Sequence, residues 1–154
     1  MSETNVEIVR PWLETFGTWG TTPAEVPAKV ALLYGPDADY YPVRKFPEAR
    51  ACHGHEEIAQ FVLGFVAAWG RIEFAIRDLI EVGGDRVLAC VSLQAEGLES
   101  RLPLGGGVYY CMWLRHGRCF RQEDHLTIRG ALHALGLEDQ TLEAAGLKAA
   151  GPEE

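Results

Sequence analysis

The feature that most constrains the fold is a change in the spacing of apolar residues near Arg71. Before this point, apolar side chains recur every three or four residues, as they do along one face of an α-helix. After it, they alternate with polar side chains, as in a β-strand with one buried face. Helices followed by a run of strands are typical of an α+β fold, whereas a parallel sheet needs the two to alternate. The sequence therefore predicts an α+β fold with an antiparallel sheet.

Three helices are predicted before the change in spacing. The first covers Asn5 to about Trp19, although Pro11 lies inside it. The second covers Pro23 to Tyr34 and ends at Gly35-Pro36. The clearest one begins at Gly54, and its apolar residues form a broad face up to Trp69.

The strands are predicted from alternation and from turn residues such as the Gly83-Gly84-Asp85 run. The short aromatic segment Asp37–Val43 is expected to be an edge strand, because Pro42 cannot donate a hydrogen bond to a neighbouring strand. A short helix is expected after Thr127 and a last amphipathic segment over Asp139 to Lys148. The predicted strands are Asp37–Val43, Ile72–Val82, Arg86–Glu96, Val108–Arg115 and Arg118–Leu126, the last two forming a hairpin around His116-Gly117.

Composition and charge limit the possible partners. The 154 residues, 47% of them apolar, suit one domain over 1–154. The net charge of −8 disfavours nucleic-acid binding. No apolar stretch approaches the ~18–20 residues of a membrane span, and the N-terminal residues do not resemble a secretory signal. We therefore expect a cytoplasmic protein that binds neither nucleic acid nor membrane. The four cysteines, which form no C-x-x-C pair, are expected to be free thiols: Cys52, Cys90, Cys111 and Cys119.

The segment Cys52-His53-Gly54-His55 contains three residues of metal-ligating type. A zinc site needs three or four ligands, and the sequence places no further ligand beside this segment. The acidic residues that follow His55 favour the first turn of a helix, where they interact with the helix dipole. The segment is therefore interpreted as a helix start, and no metal or other cofactor is predicted.

Six segments in order resemble SnoaL-like proteins of the nuclear transport factor 2-like superfamily: NVEIVRPWLETF, GPDADYYPV, HGHEEIAQFV, VGGDRVLA, LRHGRCFRQEDHL and ALHALGL. The resemblance covers about Asn5 to Leu147. It implies a curved antiparallel sheet whose concave side is closed by helices into a cone with an internal pocket. It also implies a homodimer formed through the outer sheet face. The superfamily includes ketosteroid isomerases, polyketide cyclases, limonene-type epoxide hydrolases and non-catalytic binding domains, so the fold does not define the function.

The register of the last hairpin determines the candidate site. A three-residue turn with a bulge at Gly117 places Tyr110, Met112 and Leu114 on one face with Phe120, Gln122 and Asp124. The other face then carries Cys111, Trp113, Cys119, Arg121 and Glu123. A plain two-residue turn would exchange the two faces of the second strand.

On the first register, Asp124 is an inward carboxylate among apolar neighbours, where burial should raise its pKa into the range useful for proton transfer. Tyr110 could then donate to a developing oxyanion, and Gln122 could orient a carbonyl. The resemblance supports this, because polyketide cyclases and epoxide hydrolases carry a catalytic Asp at the position of Asp124. The cyclases, however, have His at the position of Tyr110. The alternative is a structural carboxylate paired with Arg121, Arg129 or a backbone amide.

Two other chemistries of the superfamily lack their polar groups here. Ketosteroid isomerases carry an Asp before the proline of the first strand, where this chain has Tyr41, and an oxyanion-binding Tyr roughly where it has Trp12. The charged strand of epoxide hydrolases corresponds to Cys90 to Leu93, which carries no charge.

The aromatic residues of the closing elements predict an apolar pocket for a small hydrophobic molecule, polycyclic or terpenoid-like. Trp113 and Cys111 on the other sheet face predict an apolar patch for a homodimer. The leading hypothesis is an acid–base enzyme; the alternative is a non-catalytic ligand-binding or assembly module. The predicted pocket walls are Trp12, Phe16, Tyr34, Tyr41, Phe61, Phe65, Met112, Leu114 and Phe120.

Overall fold

The computed structural model describes residues 5–19, 23–43, 50–97, 103–104 and 107–137. The predicted α+β class is confirmed. The helices are α1 (Asn5–Trp19), α2 (Val26–Leu33), α3 (Gly54–Ala68) and α4 (Ile128–Ala134), with a 3₁₀ turn over Pro23–Glu25. The strands are β1 (Tyr34–Tyr41), β2 (Cys52–His53), β3 (Trp69–Val82), β4 (Arg86–Gly97), β5 (Pro103–Leu104), β6 (Gly107–Arg115) and β7 (Arg118–His125). The segment Asp139 to Lys148 lies outside the described residues.

The strands form one sheet in the order β2-β1-β7-β6-β4-β3, and β5 also pairs with β4. Each pair is antiparallel except β1 with β7, which run parallel. No local pattern in the sequence predicts this pair, because its strands are separated by most of the chain. A parallel pair needs such a long connection. The edge strand predicted over Asp37–Val43 is wrong in its bounds and its place: β1 covers Tyr34–Tyr41 and pairs with both β2 and β7. Pro42 does not interrupt these pairs, because it lies after the last residue of β1.

The helices before β3 pack on one face of the sheet, which we call the inner face. Each contributes a stripe of apolar residues three or four positions apart, and these stripes meet side chains of β4, β6 and β7. The buried cluster includes Val9 and Leu13 of α1, Val26 and Val30 of α2, and Ile58 and Val62 of α3. None of the helices among the described residues is long and apolar enough to span a membrane.

The opposite, outer face of β4 and β6 is covered by α4. Thr127 caps this helix, since its Oγ1 accepts a hydrogen bond from the Gly130 N–H at 3.0 Å. The Cys111 thiol is fully buried and donates to the Ala131 carbonyl at 3.5 Å. Cys111 therefore does not form the exposed dimer patch that the sequence predicted, and Trp113 is half-buried at the border of the same cluster. The four cysteines are free, as predicted.

The hairpin between β6 and β7 has a two-residue turn, not the predicted three-residue turn. His116 and Gly117 both have positive φ, 54° and 76°, and Arg115 pairs with Arg118. This is the turn geometry that suits the twist of antiparallel strands.

A bulge in β7 offsets the difference in turn length. Leu114 pairs with Cys119 but Trp113 pairs with Arg121, so Phe120 is an extra residue. Beyond the bulge, Met112 pairs with Gln122 and Tyr110 with Asp124, which confirms the predicted register. Cys119, predicted on the outer face, instead belongs to the inner cluster.

Candidate active site

Asp124 lies on the inner side of β7, the strand between β6 and β1, and it follows the last residue of β7 that pairs with β1. It is 7% exposed, and Tyr110 of β6 is its register partner. On the other side of β7, Tyr40 of β1 pairs with Gln122. Asp124 is therefore surrounded by residues from three strands. Asp124 and Gln122 are the buried polar or charged residues among those that the structure describes.

Four side chains of β1 and β7 form one hydrogen-bond chain. The Tyr40 hydroxyl donates to Oδ2 of Asp124. Nε2 of Gln122 donates to Oδ1 of Asp124 at 2.8 Å, and Oε1 of Gln122 accepts from the Tyr34 hydroxyl at 2.6 Å. Both oxygens of the carboxylate thus accept a hydrogen bond from a neutral group.

The environment of Asp124 makes it a group that can both accept and donate a proton near neutral pH. Burial raises the pKa of Asp124 to about 7, although the hydrogen bonds from Tyr40 and Gln122 lower it. Burial also raises the pKa of Tyr34, Tyr40 and Tyr110 well above the usual range. These phenols therefore remain neutral hydrogen-bond donors at physiological pH.

Arg121, one of the three partners that the structural alternative offered for Asp124, bonds to a different carboxylate. Its Nε donates to Oε2 of Glu123 at 3.0 Å, and its Nη2 bonds to the same oxygen. The guanidinium carbon lies 4.8 Å from the centre of the Tyr41 ring and 5.4 Å from that of Trp113. Arg121 and Glu123 thus form an ion pair on the outer face, as the predicted register requires.

Tyr40 is a site residue that the sequence analysis did not identify. It was not among the predicted site residues, since nothing local in the sequence places β1 beside β7. The Tyr40 ring also packs edge-on against Phe61, with ring centres 5.5 Å apart. The parallel pairing of β1 with β7 brings its hydroxyl to Asp124.

The predicted wall residues divide into three groups. Tyr34, Phe61, Met112 and Leu114 lie on the inner face, where they are buried in the packed cluster. Tyr41 and Phe120 do not: Tyr41 is 36% exposed beside Arg121, and the Phe120 ring lies 4.2 Å from the Arg115 guanidinium carbon. Phe120 leaves the inner face because it is the extra residue of the bulge. The side chains of Trp12, Phe16 and Phe65 lie outside the part of the structure that is described.

A groove opens next to Asp124 where β1 ends. Its volume is about 510 Å³. The last pair between β1 and β7 is Tyr41 with Glu123, and Pro42 has no N–H with which to extend the ladder. The groove is lined by Tyr41, Pro42, Val43, Arg121, Glu123, Asp124, His125, Leu126 and Thr127.

The residues around Gly54 have separate structural partners. Nδ1 of His53 is 2.7 Å from Oδ1 of Asp39, and Nε2 of His55 is 2.7 Å from the Tyr34 carbonyl oxygen. The Cys52 thiol donates to the Arg50 carbonyl at 3.5 Å. Within the described ranges, no group of three or more His, Cys, Asp or Glu side chains could hold a metal ion.

Comparison with known proteins identifies the fold. The sequence matches no family model and no curated protein. The chain is similar to an NTF2-like protein of unknown function from Burkholderia pseudomallei (19% identity, 86% of this chain and 97% of the other, TM-score 0.66). It is also similar to a hypothetical protein of Catenulispora acidiphila with a ketosteroid isomerase-like fold, solved with trimethylamine (19% identity, 86% of this chain and 94% of the other, TM-score 0.64). A third similar structure is TerC co-crystallised with polyporic acid (21% identity, 85% of this chain and 96% of the other, TM-score 0.64). The chain therefore has the nuclear transport factor 2-like fold, which SnoaL-like and ketosteroid isomerase-like proteins share.

Proposed function

We propose that the protein binds a small hydrophobic molecule, polycyclic or terpenoid-like, and catalyses proton transfer on it with Asp124. The observation that carries the proposal is a buried carboxylate that is bonded to neutral groups, Tyr40 and Gln122, and has a pKa of about 7. A general acid–base group works best when its pKa lies near the working pH. Similar folds bind small molecules, among them polyporic acid in TerC.

In this proposal Asp124 takes a proton from an acidic C–H bond of the ligand and later returns one to a different position. The neutral Tyr110 hydroxyl donates to the oxyanion that develops on the neighbouring carbonyl, and Gln122 orients that carbonyl. Gln122 keeps one amide hydrogen beyond the bond it donates to Asp124. The reaction is a cyclisation or isomerisation that requires no cofactor.

The test does not depend on knowing the product. Compounds with fused rings or terpenoid skeletons are screened by thermal shift, because a ligand that binds only the native state raises its melting temperature. Compounds that bind are incubated in D₂O, and deuterium uptake at acidic C–H positions is followed by mass spectrometry. The wild-type protein is expected to accelerate uptake, and Asp124→Asn to lose at least ~100-fold of the acceleration while still binding.

The matched control is Asp39→Asn, which removes an exposed carboxylate of β1 that pairs with His53. This variant is expected to keep the wild-type exchange rate. Equal exchange by the wild type and Asp124→Asn would contradict a proton-transfer role for Asp124.

A non-catalytic binding module is the second candidate, and one observation favours it. Both oxygens of Asp124 are already hydrogen-bonded within the protein, as in a polar network that only stabilises a core. On this alternative, compounds bind and raise the melting temperature, but the wild-type protein gives no deuterium uptake above the rate in buffer.

A further inference from the structure

The groove beside Asp124 joins the two faces of the sheet. Arg121 and Glu123 line it from the outer face, whereas Asp124 lines it from the inner face. Among the described residues, Tyr41 with Glu123 is the last pair between β1 and β7, and the groove lies at this end of the two strands. A ligand in the groove would reach Asp124 without passing through the packed inner cluster.

The walls of the groove are suited to a ring compound. Tyr41, Pro42, Val43 and Leu126 supply apolar surface, and the Tyr41 ring is 36% exposed. The volume of about 510 Å³ lies in the range of small-molecule sites. An aromatic or alicyclic ring can therefore lie along these side chains, with its polar group toward β7.

The charges of the groove favour a neutral ligand. The Arg121 guanidinium is neutralised by Glu123 and rests against the Tyr41 ring. A ligand carboxylate would have to displace Glu123, and a ligand ammonium group would meet Arg121. Asp124, in contrast, can exchange hydrogen bonds with a hydroxyl or carbonyl group, since burial keeps part of it protonated near neutral pH.

We propose that this groove binds a neutral ring compound carrying a hydroxyl or enolisable carbonyl group, and that it brings this group to Asp124. The inference rests on the proposed function, because it assigns the substrate class and the route of approach to the same carboxylate. It differs from the pocket expected inside the cone, since the ligand lies at the ends of β1 and β7. Of the three residues proposed for the chemistry, Asp124 lines the groove, whereas Tyr110 and Gln122 lie behind it in the buried interior.

The charge class is tested with three naphthalene probes of similar size, near pH 7: 2-naphthol (neutral), 2-naphthoate (anionic) and 2-(aminomethyl)naphthalene (cationic). Titrations are followed by ¹H–¹⁵N NMR. The expected result is that 2-naphthol binds at least about tenfold more tightly than either charged probe. Its largest shifts are expected at the amides of Tyr41, Asp124 and Leu126. Failure of 2-naphthol to bind, or equal affinity for the three probes, would overturn the proposal.

The location is tested with two variants of the groove wall. Leu126→Trp narrows the groove, and Tyr41→Ala removes a partly exposed ring that lines it. Each is expected to weaken 2-naphthol binding by about tenfold or more. The control Leu32→Trp makes the same change in size at a residue of α2 that is 69% exposed, and should bind as the wild type does.

The two proposals fail in different ways. If Tyr41→Ala binds 2-naphthol like the wild type, the groove assignment is wrong, whatever Asp124→Asn does to deuterium exchange. If the groove variants lose binding but Asp124→Asn keeps wild-type exchange, the binding site stands and the proton-transfer function is wrong.

Discussion

At the scale of single residues, Asp124 combines properties that the sequence revealed only in part. Its position on the inner face followed from the hairpin register, and burial among apolar neighbours predicted a raised pKa. Its partner Tyr40 could not be predicted, because β1 and β7 are distant in sequence and their parallel pairing depends on the whole sheet. The Tyr40 hydroxyl stabilises the ionised carboxylate and therefore sets how far burial can raise the pKa.

The variant Tyr40→Phe is expected to raise the pKa of Asp124 above its wild-type value. The change removes a hydrogen bond to the charged form but leaves the ring that packs on Phe61. A bond to an ionised group contributes ~1.5–3 kcal/mol, so the rise should be at least about one pH unit. The pKa is measured by NMR titration of the ¹³C-labelled Asp124 carboxyl carbon.

The matched control is Tyr34→Phe, because Tyr34 reaches Asp124 only through Gln122. Its effect on the pKa of Asp124 should be clearly smaller. Equal shifts in the two variants, or a fall in the pKa of Asp124 in Tyr40→Phe, would contradict the assigned hydrogen bond.

At the scale of elements, the hairpin β6–β7 places Asp124 on the predicted face, but its turn differs from the predicted one. The sequence predicts a three-residue turn, whereas the structure has a two-residue turn followed by a bulge at Phe120. The predicted turn has one extra residue in the loop, and the observed bulge has one extra residue in β7. Both therefore place Asp124 opposite Tyr110. The bulge lies in an alternating segment with no local turn signal, and the position of Phe120 was therefore predicted incorrectly. Pro42, which predicted an edge strand, instead follows the last residue of a strand that has a neighbour on each side.

The turn between β6 and β7 predicts a specific stability difference. Gly117 has φ of 76°, and a Cβ placed there would meet no atom within 4 Å. Gly117→Val should therefore destabilise the protein by backbone strain alone, by ~1–2 kcal/mol. Gly117→Asn should cost less, because Asn adopts this conformation more readily. Urea denaturation of both variants measures the difference, and equal stability of the Val variant and the wild type would contradict this turn geometry.

At the scale of the whole molecule, the outer face shows what an amphipathic pattern leaves undetermined. The apolar residues of β6 predicted a covered surface, and they are covered. The cover at Cys111 is α4 of the same chain, which Arg86 also holds through a hydrogen bond of 2.5 Å to the Leu135 carbonyl. Periodicity shows that a face is buried but not which element buries it, since intrachain and intermolecular covers require the same apolar side chains.

Asp124 also affects the stability of the whole fold, and the sign of the effect follows from its raised pKa. The native state holds the Asp124 proton up to about pH 7, whereas an unfolded Asp loses it near pH ~4. The native state therefore binds more protons between these values, and the contribution of Asp124 to the free energy of unfolding is full below pH ~4 and is lost as pH rises through about 7.

The other carboxylates have their own pH dependence, so the effect is isolated by comparison with Asp124→Asn, which cannot ionise. Urea denaturation of both proteins near pH 5 and pH 8 should show the wild type losing stability relative to Asp124→Asn by on the order of 2–3 kcal/mol. A constant difference between the two proteins across this range would mean that Asp124 is already ionised in the native state at pH 5, and that neutral Tyr40 and Gln122 stabilise its charge as well as water does.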